Sequence, residues 1–380
     1  MPAWRKKANP WVWPRRFRLR DRPTAPVVRH GAKRSGARKE LARPVGAVLL
    51  DSPAMSKLRV VFMGSPEFAV PCLEALLATE EVIAVVTQPD KPAGRGLGMQ
   101  APAVKVRALA AGLPVLQPQS VRKPPFVDVL APLQPDLCVV VAYGKILPPE
   151  LLALPRLGCL NVHASLLPKY RGAAPIQWAI IRGEHETGVT LMRMDVGMDT
   201  GDMLLTGRLP IDDDVTSGQL HERLSRLGAS VLTDGLARLK ANALPSTPQD
   251  PALATMAPML TKETGRVDFA AGARAVCDLV RGCDPWPHAY TTVDGQLLKL
   301  FRAKVVSGRG QPGVVLGADR DGLLVGCGDD AVAFAELQLP GKKRMPAQAL
   351  LAGRAIPTGT RLGVAAVDSA GGSGGEVGER

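Results

Sequence analysis

Several features that commonly signal chemistry are missing from this 380-residue chain. Its six cysteines, at positions 72, 138, 159, 277, 283 and 327, form no C-x-x-C pair and no zinc-ligand spacing. Their apolar surroundings are typical of thiols in a reducing compartment, so we expect a cytoplasmic protein without metal or structural disulfides. No G-x-G-x-x-G follows the first predicted strand, which argues against a nucleotide cofactor.

The formal net charge of +13 is concentrated at the amino terminus. Residues 1–54 hold fourteen Lys or Arg and three Asp or Glu, so about 11 of the 13 charges lie there. Overall basicity therefore says nothing about a nucleic-acid surface elsewhere. The same residues lack a secretory apolar core and any run long enough to cross a membrane. We expect a disordered tail or a misassigned start before Met55, with an organellar transit peptide as the alternative.

Alternating strand and helix patterns from residue 58 onward predict an α/β domain. Its continuous apolar runs are typical of parallel strands buried on both faces. They span residues 58–63, 82–86 and 136–142. Ser65 and Pro66 suggest the N-cap and first turn of the next helix, and leucines at helical spacing predict another helix over 216–240. The fold class is therefore a doubly wound, mostly parallel, Rossmann-like sheet with its ligands at the strand ends.

The pattern changes near residue 261 to short β-prone runs separated by turns. Asp294-Gly295 and Asp321-Gly322 are typical hairpin turns, and the runs around them predict a small antiparallel barrel. The Pro- and Ala-rich stretch before it is typical of an interdomain linker. We therefore expect a leader, a catalytic domain, a linker, a barrel domain and a disordered tail over residues 1–54, 55–242, 243–260, 261–363 and 364–380.

Asn161, His163 and Asp199 are the polar candidates of the central stretch. Asn161 and His163 lie two residues apart on a predicted strand, so period-two alternation places them on one face. Asp199 follows a second strand in a glycine-flanked turn that can bend tightly. An amide, an imidazole and a carboxylate can together stabilise an oxyanion, move a proton and orient the imidazole. No serine or cysteine nucleophile completes a covalent triad, which favours direct transfer.

Spacing alone leaves a structural alternative open, in which His163 is a core histidine and Asn161 and Asp199 are turn residues. Three segments are more specific: Asn-Val-His at 161–163, Ser-Leu-Leu-Pro-Lys-Tyr-Arg-Gly at 165–172 and Asp-Val-Gly-Met-Asp-Thr-Gly-Asp at 195–202. In these segments the chain resembles the folate-dependent formyltransferases, most of all the members that act on methionyl-tRNA. The resemblance extends from about residue 58 to residue 363.

This resemblance implies roles for the site residues. It makes Asn161, His163 and Asp199 catalytic and 10-formyltetrahydrofolate the co-substrate. It also implies that the folate contacts two short segments, although an ordinary strand-to-helix loop is an alternative for the second. The implied folate-binding residues are Ser165, Leu166, Leu167 and Pro168 in the first segment, and Gly144, Lys145, Ile146 and Leu147 in the second.

A glycine-rich loop at residues 90–99 is predicted to be exposed and mobile, with Lys91 and Arg95 at its tip. The resemblance implies that this loop enters the acceptor stem of a tRNA with Arg95 as the main contact. Leu97-Gly98 departs from the family, where further lysines are expected, so the resemblance implies no additional phosphate contact at these two positions. The resemblance also implies an OB-like carboxyl-terminal domain that steers a polyanion. Its candidate tRNA contacts are Lys342, Lys343 and Arg344.

The sequence thus predicts a monomeric, cytoplasmic enzyme that moves the formyl group of 10-formyltetrahydrofolate to the methionine of initiator methionyl-tRNA. No metal, nucleotide cofactor or membrane partner is expected. A glycinamide ribonucleotide or amino-sugar formyltransferase, or a formyltetrahydrofolate hydrolase, would share the three catalytic residues without needing the tRNA loop. An RNA-binding protein with an inactive catalytic domain is the alternative from another class, and the intact catalytic residues argue against it.

Overall fold

The computed structural model describes residues 57–93, 98–122 and 124–363. The predictions made for residues 1–54, for the tail at 364–380 and for Arg95 lie outside these described residues.

The amino-terminal domain alternates short strands with helices, as the sequence predicts. Its strands are β1 Arg59–Gly64, β2 Glu81–Val86, β3 Lys91–Ala93, β4 Gly98–Gln100, β5 Val115–Leu116, β6 Leu137–Val141, β7 Cys159–His163, β8 Arg171–Gly172, β9 Glu186–Arg193 and β10 Met203–Pro210. Its helices are α1 Val70–Thr79, α2 Ala103–Ala110, α3 Pro124–Leu130, α4 Pro149–Leu152, α5 Pro175–Ile181 and α6 Ser217–Lys240.

Seven of these strands form one sheet in the order β10-β9-β7-β6-β1-β2-β5. The five from β7 to β5 are parallel, whereas β9 and β10 add an antiparallel edge. The central strands β1 and β6 are buried on both faces, as continuous apolar runs require. The predicted mostly parallel α/β fold is confirmed, and the carboxyl ends of β6 and β7 meet at one edge of the sheet.

The first helix begins later than the sequence predicts. A 3₁₀ turn at Glu67–Ala69 follows Pro66, and α1 starts only at Val70. The hydroxyl of Ser65 accepts a hydrogen bond from the backbone N–H of Gln88, across the strand ends, instead of capping the helix. The predicted N-cap role of Ser65 is therefore wrong, because a tertiary partner competes for the same hydroxyl.

Helix α6 begins as predicted. Thr216 caps it, and its side chain and that of Gln219 form a reciprocal capping box. The helix packs on α1 and on β9, and Ser225 donates a hydrogen bond to the carbonyl of Phe68 at 2.7 Å. These contacts fix the backbone that presents Phe68 beside the strand ends.

The predicted linker packs against the catalytic domain. After a 3₁₀ turn at Pro251–Leu253, β11 (Met256–Ala257) pairs in parallel with β8. Thr247 also bridges to Met203 in β10. The stretch at residues 243–260 therefore packs on the catalytic domain before the chain reaches the β domain, and its role as an interdomain linker stays a prediction.

The carboxyl-terminal domain is a small antiparallel sheet covered by two helices, which confirms the predicted β domain. Its first hairpin turns at Asp294 and Gly295, whose φ values of 48° and 71° match a type I′ turn. The sheet follows the order β12-β13-β16-β15-β14, with β17 paired to β16. The bounds are β12 Ala289–Val293, β13 Gln296–Val306, β14 Val315–Asp319, β15 Gly322–Gly326, β16 Ala331–Gln338, β17 Met345–Pro346, α7 Ala273–Gly282 and α8 Ala347–Gly353.

The two domains share a contact between α5 and α7. Gly282 of α7 lies so close to α5 that a Cβ there would be 2.5 Å from Ile181 Cγ1. A buried ion pair joins Arg281 and Asp278 at 2.9 Å, and Arg281 also donates to the carbonyl of Asp212 at 2.8 Å. The small β domain is therefore anchored to the catalytic domain at this contact. Among the described helices, none combines the length and the apolar character needed to span a bilayer.

A buried ion pair joins Glu80, directly after α1, to Lys240, the last residue of α6, and allows a stability prediction. Glu80 is 1% exposed at its side chain, lies 2.6 Å from Lys240 Nζ and accepts a hydrogen bond from Leu58 N–H at 2.8 Å. Glu80→Ala leaves both partners without their acceptor, so we expect the free energy of unfolding to fall by about 2–4 kcal/mol. Urea unfolding measures this loss.

Glu81→Ala is the matched control, since the pair of Glu81 with Arg59 is exposed and should contribute about 0–1 kcal/mol. Equal unfolding curves for Glu80→Ala and Glu81→Ala would contradict this account of the buried pair.

Candidate active site

Asp199 is the centre of the candidate site. Its Oδ1 accepts a hydrogen bond from Asn161 Nδ2 at 3.3 Å, and its Oδ2 lies 3.6 Å from His163 Nδ1. The backbone N–H of Gly172 donates to the same Oδ2 at 2.9 Å. The structure therefore brings the three predicted catalytic side chains together, while their catalytic roles stay a prediction.

Local backbone geometry explains why these side chains meet. Asn161 and His163 lie two residues apart on β7, opposite Met192 and Thr190 of β9. Asp199 follows β9 in the turn at residues 195–202 and has a left-handed φ of 54°. That conformation is uncommon for a residue other than glycine, although Asp and Asn tolerate it better than most. It turns the carboxylate of Asp199 back toward the end of β7.

The hydrogen bonds of His163 determine which ring nitrogen carries a fixed proton. Nε2 lies 2.9 Å from the carbonyl oxygen of Tyr170, and a carbonyl only accepts, so Nε2 holds a proton. Nδ1 faces the Asp199 carboxylate, which would share any proton placed there. The residue is only 6% exposed, so water competes little for either contact. The ring thus has one fixed and one mobile proton position.

The segment Tyr170 to Gly172 supplies the backbone groups around this ring. Tyr170 has a φ of 63°, and its hydroxyl donates to Glu184 at 2.8 Å. Burial, together with the Glu184 carboxylate, raises the pKa of Tyr170 to about 12, so the phenol keeps the proton that it donates. Gly172 has a φ of 120°, and a Cβ there would lie 2.8 Å from the carbonyl oxygen of Ala257. Only glycine can therefore bring this N–H against Asp199.

A cavity of about 610 Å³ opens beside the cluster. Asn161, His163 and Asp199 line it, together with the predicted folate-binding loop Gly144, Lys145, Ile146 and Leu147. The Lys145 ammonium donates to the carbonyls of Pro118 and Gln119 at 2.8 and 2.9 Å. Because that ammonium is already bonded, the loop offers the cavity mainly backbone and apolar groups.

The other predicted folate segment does not line this cavity. Ser165 is fully buried, and its hydroxyl donates to the carbonyl of Lys169 at 2.6 Å. The N–H of Leu167 donates to the hydroxyl of Thr190 at 3.2 Å. Folate contact stays a prediction for these residues, and the cavity geometry gives it no support. The residues concerned are Ser165, Leu166, Leu167 and Pro168.

The chain matches two protein-family models in succession. Residues 57–236 match formyl transferase, and residues 259–355 match formyl transferase, C-terminal domain. The methionyl-tRNA formyltransferase of Citrifermentans bemidjiense is 53% identical over 81% of this chain and 98% of its own length. The one of Geobacter metallireducens is 51% identical over 81% of this chain and 100% of its own length. The chain belongs to the methionyl-tRNA formyltransferase family.

Solved structures with the same fold include other formyltransferases. HypX from Aquifex aeolicus, in complex with tetrahydrofolic acid, aligns with a TM-score of 0.53 and 20% identity over 78% of this chain and 47% of that one. An N-formyltransferase from Helicobacter canadensis, in complex with folinic acid and dTDP-3-aminofucose, aligns with a TM-score of 0.55 and 16% identity. The alignment covers 73% of this chain and 99% of that one. These identities show a shared fold alone. Membership of the methionyl-tRNA formyltransferase family makes the chain a formyl-transferring enzyme.

The predicted tRNA contacts have different surroundings. Lys91 is exposed on β3, and Lys342 and Lys343 are exposed in the turn before β17. Arg344 instead forms ion pairs with Glu336 and Asp284, and its guanidinium lies 4.1 Å from the ring centroid of Phe301. These carboxylates compete for the charge of Arg344. Its contact with tRNA stays a prediction, as do those of Lys91, Lys342 and Lys343.

Two backbone groups and one histidine at the site are not signalled by the sequence. The Tyr170 carbonyl and the Gly172 N–H are backbone groups, so the residue type at these positions does not predict their role. His221 of α6 lines the cavity with Phe68, and their ring centroids are 5.0 Å apart. Burial lowers the pKa of His221, and this effect exceeds the rise caused by the charges of Glu222 and Glu67. The imidazole is therefore neutral at pH 7 and forms an uncharged part of the cavity wall. Its position on α6 gave no signal, because an amphipathic helix also buries histidines in its core.

Proposed function

We propose that this chain transfers the formyl group of 10-formyltetrahydrofolate to the α-amino group of methionine on initiator tRNA. The observation that carries the proposal is the contact of Asp199 with Asn161 and with His163 at the wall of one cavity. Relatives named methionyl-tRNA formyltransferase are similar to the chain across both domains, which favours this acceptor over an amino-sugar nucleotide. We further expect the enzyme to act as a monomer in the cytoplasm.

The proposed reaction is direct attack of the neutral amine on the formyl carbon. A nitrogen–carbon bond forms, and the formyl oxygen gains negative charge in the tetrahedral intermediate. The second N–H of Asn161, which has no acceptor among the described residues, donates to that oxygen. A proton on Nδ1 of His163 adds positive charge on the same side. Since the amine is the attacking group, no protein nucleophile is required.

Collapse of the intermediate breaks the bond between the formyl carbon and N10 of the folate. The nitrogen of the acceptor loses one proton, and N10 gains one, so the protein only has to relay it. Asp199 and Nδ1 of His163 form the relay, because Nε2 keeps its proton on the Tyr170 carbonyl. Charge in this relay is stabilised by the Gly172 N–H on Asp199 Oδ2.

The cavity supports a folate as the formyl donor. Its volume of about 610 Å³ lies within the range of small-molecule sites, and its lining joins apolar walls to a few polar groups. We propose that Gly144, Lys145, Ile146 and Leu147 contact the ring system through their backbone. A neighbour of the same fold, HypX, was solved in complex with tetrahydrofolic acid, which supports a folate as the co-substrate.

Positive charge near the cavity supports a polyanionic acceptor. Lys91 is exposed on β3, and Lys145 lies at the cavity wall with its ammonium on the carbonyls of Pro118 and Gln119. Such cations attract a phosphate backbone. We propose that Lys91 and the hairpin of β3 and β4 face the acceptor stem, with Lys342 and Lys343 as more distant contacts.

Arg95→Ala should impair the use of tRNA far more than folate binding. An arginine that contacts the acceptor stem contributes to tRNA affinity and positioning, so we expect kcat/KM for tRNA to fall by about 10–100-fold. The KM for the folate should stay within about threefold. Steady-state kinetics with each substrate varied in turn measure both. Equal losses for the two substrates would mean that the loop is structural.

The acceptor is tested by offering the full chain labelled 10-formyltetrahydrofolate with methionyl initiator tRNA, uncharged initiator tRNA or an amino-sugar nucleotide. We expect label only in the charged tRNA. Transfer only to the sugar would overturn the tRNA assignment, and folate turnover without an acceptor would indicate a hydrolase.

A further inference from the structure

Gln249 lies between the two family-matched ranges, in the stretch that the sequence presents as a linker. It is nevertheless buried, with 9% of its surface exposed. A buried amide must find partners for two N–H donors and a carbonyl acceptor. Those partners determine what this residue does.

Both N–H groups of Gln249 point at the turn that carries Asp199. Nε2 donates to the carbonyl oxygens of Asp199 and Gly201, each at 2.8 Å. Its Oε1 accepts two hydrogen bonds from Arg171, from Nε at 3.0 Å and from Nη2 at 2.7 Å. The amide is therefore fully satisfied. It joins the Asp199 turn to the segment that also provides the Gly172 N–H and the Tyr170 carbonyl.

Besides Gln249, three groups outside the turn donate hydrogen bonds to its side chains: Asn161 and the Gly172 N–H to Asp199, and Ser246 to Asp202. Asp199 is held at a φ of 54°, while Val196 and Met198 in the same turn are 70% and 51% exposed. Asp195 bonds within the turn, to the Gly197 N–H and the Thr200 hydroxyl. An uncommon backbone conformation persists only where its surroundings determine it. Gln249 supplies two of the hydrogen bonds that do so here.

We propose that Gln249, clamped by Arg171, is a positioning residue for formyl transfer, which holds the Asp199 carboxylate against Asn161 and His163. It touches no reacting atom and acts through the backbone of the Asp199 turn. This inference rests on the function proposed above. A merely structural role would lower stability without a specific effect on the chemical step.

The first test compares Gln249→Ala and Gln249→Glu with the wild-type full chain. The glutamate keeps the acceptor for Arg171 but sets an oxygen against two carbonyl oxygens, so it isolates the donor function. We expect kcat with methionyl-tRNA to fall about 20–100-fold in both variants, with the folate KM within about threefold. Leu253→Ala, in the same stretch and 61% exposed, is the matched control and should match the wild type. Wild-type kcat for Gln249→Glu would overturn the proposal.

The second test asks whether Gln249 acts through Asp199. In an Asp199→Asn background the carboxylate to be positioned is gone, so Gln249→Ala should lower the remaining rate by less than about threefold. The same fold loss in both backgrounds would overturn the proposal and leave a general structural role. Arg171→Met covers the case that Gln249 variants fail to fold. It should lower kcat with little change in folate KM, and unchanged kcat would also overturn the clamp.

The failure of this inference is distinguishable from failure of the proposed function. If the wild type formylates methionyl-tRNA and the Gln249 variants do so equally well, only the positioning role is wrong. If the wild type forms no formylmethionyl-tRNA, the proposed function itself fails.

Discussion

His163→Ala is expected to lower kcat for formyl transfer by about three orders of magnitude, or about 4 kcal/mol of transition-state stabilisation. The alanine removes the imidazole nitrogen that faces Asp199 and the cation next to the developing oxyanion. Folate binding should change by less than about threefold, since the walls of the cavity remain. Single-turnover transfer and equilibrium binding of the folate separate these two effects.

His185→Ala is the control for this experiment. His185 is exposed and does not line the cavity, so its loss should leave kcat unchanged. Transfer by His163→Ala at the wild-type rate would remove His163 from the mechanism and support the alternative of a core histidine satisfied by the Tyr170 carbonyl.

Asp199→Asn is expected to lower kcat by about 10³-fold while the protein keeps its stability. Asparagine tolerates the left-handed backbone at this position and can still accept the Gly172 N–H. It has no charge to balance a proton on His163 and cannot take up the proton of the acceptor amine. The measurement pairs kcat with the melting temperature.

Asp202→Asn is the matched control for Asp199→Asn. Asp202 belongs to the same turn, but it accepts a hydrogen bond from Ser246 and does not line the cavity. We expect its kcat to stay within about threefold of the wild type. A loss at Asp199 no larger than that at Asp202 would show that the turn matters only for folding.

The candidate catalytic residues were predictable because local rules place them. Period-two alternation puts Asn161 and His163 on one face of β7, and a glycine-flanked turn after β9 carries Asp199. Similar local patterns locate the hairpin at Asp294 and the helix that Thr216 caps. In each case the residues that decide the structure are close in sequence.

The supporting groups were not predictable because tertiary contacts decide them. Gln249 reaches Asp199 across 50 residues of sequence, and nothing in a Pro-rich stretch announces a buried amide. Ser65 has the residue type of an N-cap, yet Gln88 takes its hydroxyl. Arg344 has the residue type of a tRNA contact, yet two carboxylates and Phe301 surround its guanidinium. Side-chain chemistry suggests such roles, and only the fold shows which partners are in reach.

The most direct measurement is transfer of labelled formyl from 10-formyltetrahydrofolate to methionyl initiator tRNA, by wild type and Asp199→Asn at saturating folate. We expect formylmethionyl-tRNA from the wild type, and a variant that binds the folate but leaves the tRNA almost unformylated. No formylmethionyl-tRNA from the wild type, or equal transfer by both proteins, would contradict it.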